Sequence, residues 1–295
     1  MKTTQLLENY KSFIEPHLSE SSVLAYVKDV KRYVEDNEDK FDTATQEDIE
    51  DYLSELASQV KDNGEPKFKP ASLNRQRASI VSFYNFLVSK GHMTQNPASK
   101  IKGISYKKCR QEKIENYLTH EEVSELFSKI KTNPYINQFV KSRDVLMCKL
   151  MIGTGIKINE LARLRAEQIN LEANELTIVD TNGNERTLKL PINFEKDFEE
   201  YMLERERLIG EEDHFLFLSE RKSPMSLQLA NHTLNKHKEY SGIEKRINNS
   251  TLRNTYVMNM FEAGMGIEEL SQKLGHTSIN FTSTFFSEYL TRQKG

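Results

Sequence analysis

The stretch Leu274-Gly275-His276-Thr277-Ser278 decides how this chain is read. Gly275 closes one helix, because glycine accepts the left-handed conformation in which helices commonly end, and the residues after His276 open another. Two stretches stand upstream of it: Gly153-Thr154-Gly155-Ile156-Lys157-Ile158-Asn159-Glu160-Leu161, and Thr251-Leu252-Arg253-Asn254-Thr255. Phe285 follows nine residues after His276, and Tyr289 four residues after that. Each stretch alone fits many helical proteins. Ile267–His276 by itself reads equally well as the first helix and turn of a helix-turn-helix. In this order and at these separations the stretches restrict the fold sharply.

Length and composition set bounds around them. A chain of 295 residues suggests two domains. No stretch approaches the roughly 18 apolar residues of a membrane span, and Met1-Lys2-Thr3-Thr4-Gln5 holds no apolar signal-peptide core. Cys109 and Cys148 are too few for a disulfide framework and too sparse for a zinc site, so two free thiols in a reducing cytoplasm are expected, with no metal and no cofactor. The net charge of -3 is unremarkable, but its distribution is not. Glu35 to Glu65 is acidic, opposed only by Lys40 and Lys61. From Pro66 to Lys113 the balance inverts, and Lys67, Lys69, Arg75, Arg77, Lys90 and the cations from Lys100 to Lys113 face one acid, Glu112. A run this one-sided in a chain acidic elsewhere reads as a footprint for phosphates.

The periodicity is mainly helical. Ser21-Ser22 cap a helix with Val23, Tyr26, Val27, Val30, Tyr33 and Val34 on one face. Helices are expected from Glu47 to Val60 and from Ser72 to Ser89, the latter stopped by Gly91. Residues 1–99 form a helical domain, 100–116 a basic linker, and 117–295 a second domain opened by the capping box Thr119-His120-Glu121-Glu122. Its β content is small: Glu175–Asp180 and Arg186–Leu190 alternate apolar residues about an Asn182-Gly183 hairpin turn, and Phe215-Leu216-Phe217-Leu218 is a candidate third strand. A helix is expected over Ser226–Tyr240.

These stretches resemble those of the tyrosine recombinase, or phage integrase, family, over nearly the whole chain. The resemblance implies a mainly α fold with a small antiparallel β-sheet, in two domains: a helical core-binding domain and a catalytic-like domain that close on duplex DNA as a clamp. It also implies a chemistry. A tyrosine attacks a DNA phosphate, two arginines hold the non-bridging oxygens, a hairpin lysine protonates the leaving oxygen, and histidine-type positions with a carboxylate orient and move protons. Position by position this chain departs from that set. The first arginine position is Lys157, which keeps the charge and loses the planar fork. The carboxylate, Glu160, is kept. The hairpin lysine position falls on Asn182, with Lys189 out of step further along. The histidine position is Ser250, while Arg253 and His276 are kept. The nucleophile position is Phe285, whose ring has no oxygen. Tyr289 would lie about 6 Å further along a helix, against a near-attack tolerance of about 3–3.5 Å.

By the same resemblance the helix from Ser72 enters a major groove led by Asn74, Arg75 and Arg77. The helix over Ser226–Tyr240 enters one with Gln228, Asn231, His232, Asn235 and Lys236. Lys100, Lys102, Lys107, Lys108 and Arg110 contact phosphates, as do Lys157, Arg253 and His276. The acidic stretches Glu35–Glu65 and Glu195–Asp213 lie away from DNA. The expected function is sequence-specific binding of double-stranded DNA at operator-like sites without strand cleavage. That makes the chain a transcriptional regulator, a repressor, of bacterial or prophage genes, and the pattern of losses resembles the recombinase-like repressors that maintain lysogeny in SPbeta-type phages. The alternatives are an active recombinase using Tyr289 and an accessory architectural DNA-binding factor. Self-association through Glu288–Gly295 is a further expectation, and no membrane partner is.

Overall fold

The computed structural model describes residues 3–37, 41–103, 116–180, 183–209, 215–276 and 279–293. The chain divides into two compact units, Met1–Arg110 and Gln111–Gly295. It is mainly helical, with one small antiparallel sheet, as the sequence predicts. No helix among the described residues is long and apolar enough to cross a membrane.

The first unit holds α1 (Thr3–Ile14), α2 (Glu20–Asp36), α3 (Gln46–Ser58) and α4 (Pro70–Ser89). The cap of α2 is Ser19, whose hydroxyl accepts from the Ser22 N–H, rather than Ser21-Ser22 themselves. A serine two residues earlier reaches the orphan N–H groups of the first turn equally well. Pro70 opens α4, where its missing N–H costs nothing. The core is aromatic: Tyr10, Tyr33, Phe83, Tyr84 and Phe86 are all essentially without exposure. Its hydroxyls are satisfied in series. The Tyr84 hydroxyl donates to the Phe41 carbonyl at 2.8 Å, so in the 2.6 Å pair with Tyr33 it is Tyr33 that donates.

The second unit is built round α6 (Gln138–Thr154), buried along almost its whole length. It packs against α5 (His120–Thr132), α8 (Phe194–Ile209) and α10 (Asn249–Glu262), and α9 (Leu227–Ser241) packs against α5. Thr119 and Glu122 form the capping box of α5. The one-turn α7 (Ile158–Leu161) and a 3-10 turn (Ala166–Gln168) lead into the sheet β1 (Ile169–Asn170), β2 (Glu175–Val179) and β3 (Glu185–Lys189), in that order, with Leu176 opposite Leu188. The chain ends in α11 (Ile267–Lys273) and α12 (Asn280–Gln293).

The third strand is therefore β1, not Phe215–Leu218. Leu216, Phe217 and Leu218 are all fully buried, so the segment has no solvent face on which to alternate. It threads the core as a strap, touching Arg165 and Pro224 through single bridges.

The aromatic series in the first unit gives a direct expectation. Tyr84→Phe removes one oxygen and strands two buried groups, the Tyr33 hydroxyl and the Phe41 carbonyl. Urea denaturation should show a loss of about 1–3 kcal/mol, the cost of an unsatisfied buried polar group.

Candidate nucleic-acid interface

Gly155 ends α6 in the left-handed conformation, φ 64°, and its α-carbon lies against the Tyr256 ring so closely that an added Cβ would stand 2.4 Å from it. The chain thus turns sharply into Lys157 and α7. The Lys157 N–H donates to Glu160 Oε2 at 2.9 Å, which caps α7. The other face of the Glu160 carboxylate takes both arms of Arg186 from β3, at 2.7 and 3.0 Å. Glu160 is consequently a capping and counter-ion group, its acceptor sites engaged.

Three cations converge on the turn after α11. Arg186 donates from Nε to the Lys273 carbonyl at 3.1 Å, Arg253 to the Leu274 carbonyl at 2.6 Å, and Lys157 from Nζ to the Gly275 carbonyl at 2.9 Å. Arg253 also donates to the Gly155 carbonyl, tying the ends of α6 and α11 together. A helix C-terminus offers unpaired carbonyls and a negative dipole end, so cations are favoured there.

Arg253 fixes the proton on His276. A guanidinium only donates, so His276 Nε2, 3.0 Å from Arg253, must accept, and Nδ1 carries the hydrogen toward Thr282 Oγ1 at 3.0 Å. Burial, then the neighbouring Arg253, Lys157 and Arg186 charges, push the His276 ring down to about 4. It is neutral at physiological pH. Burial also pushes Arg253 down to about 10, still protonated at neutrality, and lowers Lys157.

Lys157, Glu160, Arg253 and His276 are thus brought together in one hydrogen-bonded cluster. Asn182 lies outside the described residues. Ser250 lies one turn before Arg253 on α10, exposed, its N–H on the Asn249 side chain. Lys189 points outward and pairs with Glu175 at 2.9 Å. Phe285 packs on the apolar cluster of Tyr256, Phe261 and Leu274. Tyr289 joins the same cluster, its ring 5.6 Å from that of Phe261 and 6.4 Å from that of Phe286. Sequence reasoning missed Arg186 and Thr282. Arg186 left a signal, since it alternates with Leu188 and Leu190 and so belongs on the inward face of the hairpin. A charge on an inward face demands a partner.

The readout candidates are distributed as follows. Gln228, Asn231, His232, Asn235 and Lys236 share the outer face of α9, opposite the buried Ala230, Thr233, Leu234 and His237. On α4, Arg75 donates to the buried Asp29 carboxylate at 3.1 Å. Arg77 donates to the Ile101 carbonyl at 2.7 Å, and Asn74 lies against Gly103. Lys100 and Lys102 are exposed. Lys107, Lys108 and Arg110 lie outside the described residues.

Two family models match the chain: the phage integrase family over residues 116–290, and the phage integrase N-terminal SAM-like domain over residues 7–91. Curated relatives include a tyrosine recombinase of Pseudothermotoga lettingae, 27% identical over 95% of this chain and 93% of its own. A tyrosine recombinase XerC of Pelobacter propionicus is 25% identical over 97% and 93%. Among solved structures, the XerH recombinase in a post-cleavage complex with palindromic difH substrate matches 99% of this chain and 83% of its own, with TM-score 0.78 and 16% identity. A dimer of residues 75–356 of lambda integrase on a COC' core site matches 96% and 94%, with TM-score 0.69 and 16% identity.

Two measurements check this geometry. His276 takes up protons in the unfolded chain below about 6.5 but in the folded chain only near 4, so its contribution makes stability fall as pH drops through that window. Denaturation at stepped pH should show that fall, and His276→Gln should flatten it. Separately, Arg186→Met removes the bidentate partner of Glu160, whose side chain is only 7% exposed, and leaves it paired with Lys157 at 3.9 Å. A loss of about 1.5–3 kcal/mol is expected, the range for hydrogen bonds to a charged group, and adding Glu160→Gln should recover part of it.

Proposed function

This chain belongs to the phage integrase family of tyrosine recombinases, and from that premise we propose that it binds double-stranded DNA in a sequence-specific way without cutting it. Its role on this reading is transcriptional regulation, as a repressor at operator-like sites of bacterial or prophage genes. A regulator of the kind that maintains lysogeny in SPbeta-type phages is the narrower form.

One observation carries the reading. The residue nine after His276 is a phenyl ring seated in an apolar cluster, where the family's chemistry needs a hydroxyl. Three cations of the kind suited to holding a phosphate, Arg253, Lys157 and Arg186, meet at one turn. His276 is neutral and its Nε2 accepts from Arg253, an arrangement that supports the guanidinium rather than passing a proton. The outer face of α9 supplies amide and cationic side chains of the types that pair with base edges in a major groove. The carbonyl-bonded Arg77 and the Asp29-bonded Arg75 are better suited to positioning than to leading base contacts.

A second reading is favoured by the curated relatives, which are named tyrosine recombinases. On it the chain cuts DNA with Tyr289. That ring packs against those of Phe261 and Phe286 in the apolar cluster.

The two readings part on one experiment. Duplexes selected from a genomic fragment pool are rebuilt with a nick that traps covalent intermediates. Binding without a protein–DNA adduct is expected, and an adduct abolished by Tyr289→Phe would establish the second reading instead. On the same duplexes Arg253→Ala should weaken binding and reduce the slope of log affinity against log salt by about 1.

A further inference from the structure

A cavity of about 550 Å³ opens beside the phosphate pocket and shares Lys157, Glu160 and Gly275 with it. Its other charged walls are Arg163, Arg165 and Asp180. The two acids are already engaged. Glu160 is held by Arg186, and Asp180 accepts from the Asn184 N–H and side-chain amide inside the hairpin turn, both at 2.9 Å. The cations are differently placed. Among the described residues Arg163 has no ion-pair partner, and it is exposed. Among the described residues the ion-pair partner of Arg165 is Glu167, at 3.6 Å on the open surface, a pair of the kind that contributes little.

The backbone that carries these arginines is fixed. Leu164 between them is buried, and its carbonyl accepts from the Leu216 N–H at 2.7 Å. Arg165 pairs with Phe215 through a β-bridge, and its guanidinium lies 5.5 Å from the centroid of that ring. The ring holds the planar fork in place, which reduces the side-chain entropy lost when an anion binds. A solvated face would have no need of a ring beneath the charge or of a core anchor between two arginines. Forked donors on a concave wall are suited to the paired oxygens of a phosphate.

We propose that Arg163 and Arg165 form a second phosphate subsite, continuous with the Arg253–Lys157 pocket, that takes a neighbouring phosphodiester of the same DNA. This rests on the DNA-binding reading above. The subsite adds affinity and fixes register on the backbone, and it reads no bases.

The test measures duplex affinity across a salt series for the full chain, for the Arg163→Ala/Arg165→Ala double variant and for the Arg163→Lys/Arg165→Lys double variant. The alanine pair should bind roughly tenfold or more weakly and lower the salt slope by about 1–2. The lysine pair, which keeps charge and loses the fork, should retain the slope while binding more weakly. Because Arg165 covers Phe215, thermal melting accompanies each variant. If the alanine pair fails to fold, Arg163→Ala alone is read, with a slope loss of about 1 expected. An unaltered affinity and slope in a chain that still binds DNA would overturn the subsite and leave the DNA-binding reading intact. Equal slope loss in the alanine and lysine pairs would also overturn it, by placing the effect in packing rather than charge. Failure of the unmodified chain to bind any selected duplex would overturn the DNA-binding reading itself.

Discussion

Three consecutive carbonyls, those of Lys273, Leu274 and Gly275, each accept from a different cation: Arg186 on β3, Arg253 on α10 and Lys157 ahead of α7. The rest of the site depends on this turn. It ties the sheet, α10 and the start of α7 to one short piece of backbone at the end of α11. Each cation comes from a different element, so none of these elements can shift without lengthening a charge-assisted bond. Gly275 allows it: φ is 59°, and a Cβ there would stand 3.2 Å from the Arg186 guanidinium.

The same turn gathers positive charge, because carbonyl oxygens are acceptors that draw donors from three directions. The gathering is structural, because it caps α11 and neutralises Glu160. On the non-cleaving reading proposed above, such a gathering would be retained for reasons of folding. Phe285 on α12 has a different duty, because its ring packs on the cluster of Tyr256, Phe261, Leu270 and Leu274.

Local signals were readable in the sequence and distant partnerships were not. The Thr119 capping box, the apolar stripe of α2 and the helix over Ser226–Tyr240 are each written within a few residues. Lys157, Glu160, Arg253 and His276 could be named together only through the resemblance, because they are spread over more than a hundred residues. The Phe215–Leu218 strap misled because a run buried on all sides has no period to show. Arg75 and Arg77 were legible as cations, but Asp29 and the Ile101 carbonyl, which engage them, lie 46 and 24 residues away.

The seat of Phe285 has an evolutionary consequence. The ring packs on a cluster of aromatic and aliphatic side chains, while the His276 proton is directed to Thr282. On the non-cleaving reading proposed above, losing the oxygen takes one substitution, whereas regaining a working nucleophile would also require the planar fork that Lys157 does not offer. The departure from strand-cutting chemistry would then behave as a ratchet, held in its new position by more than the absence of a single atom.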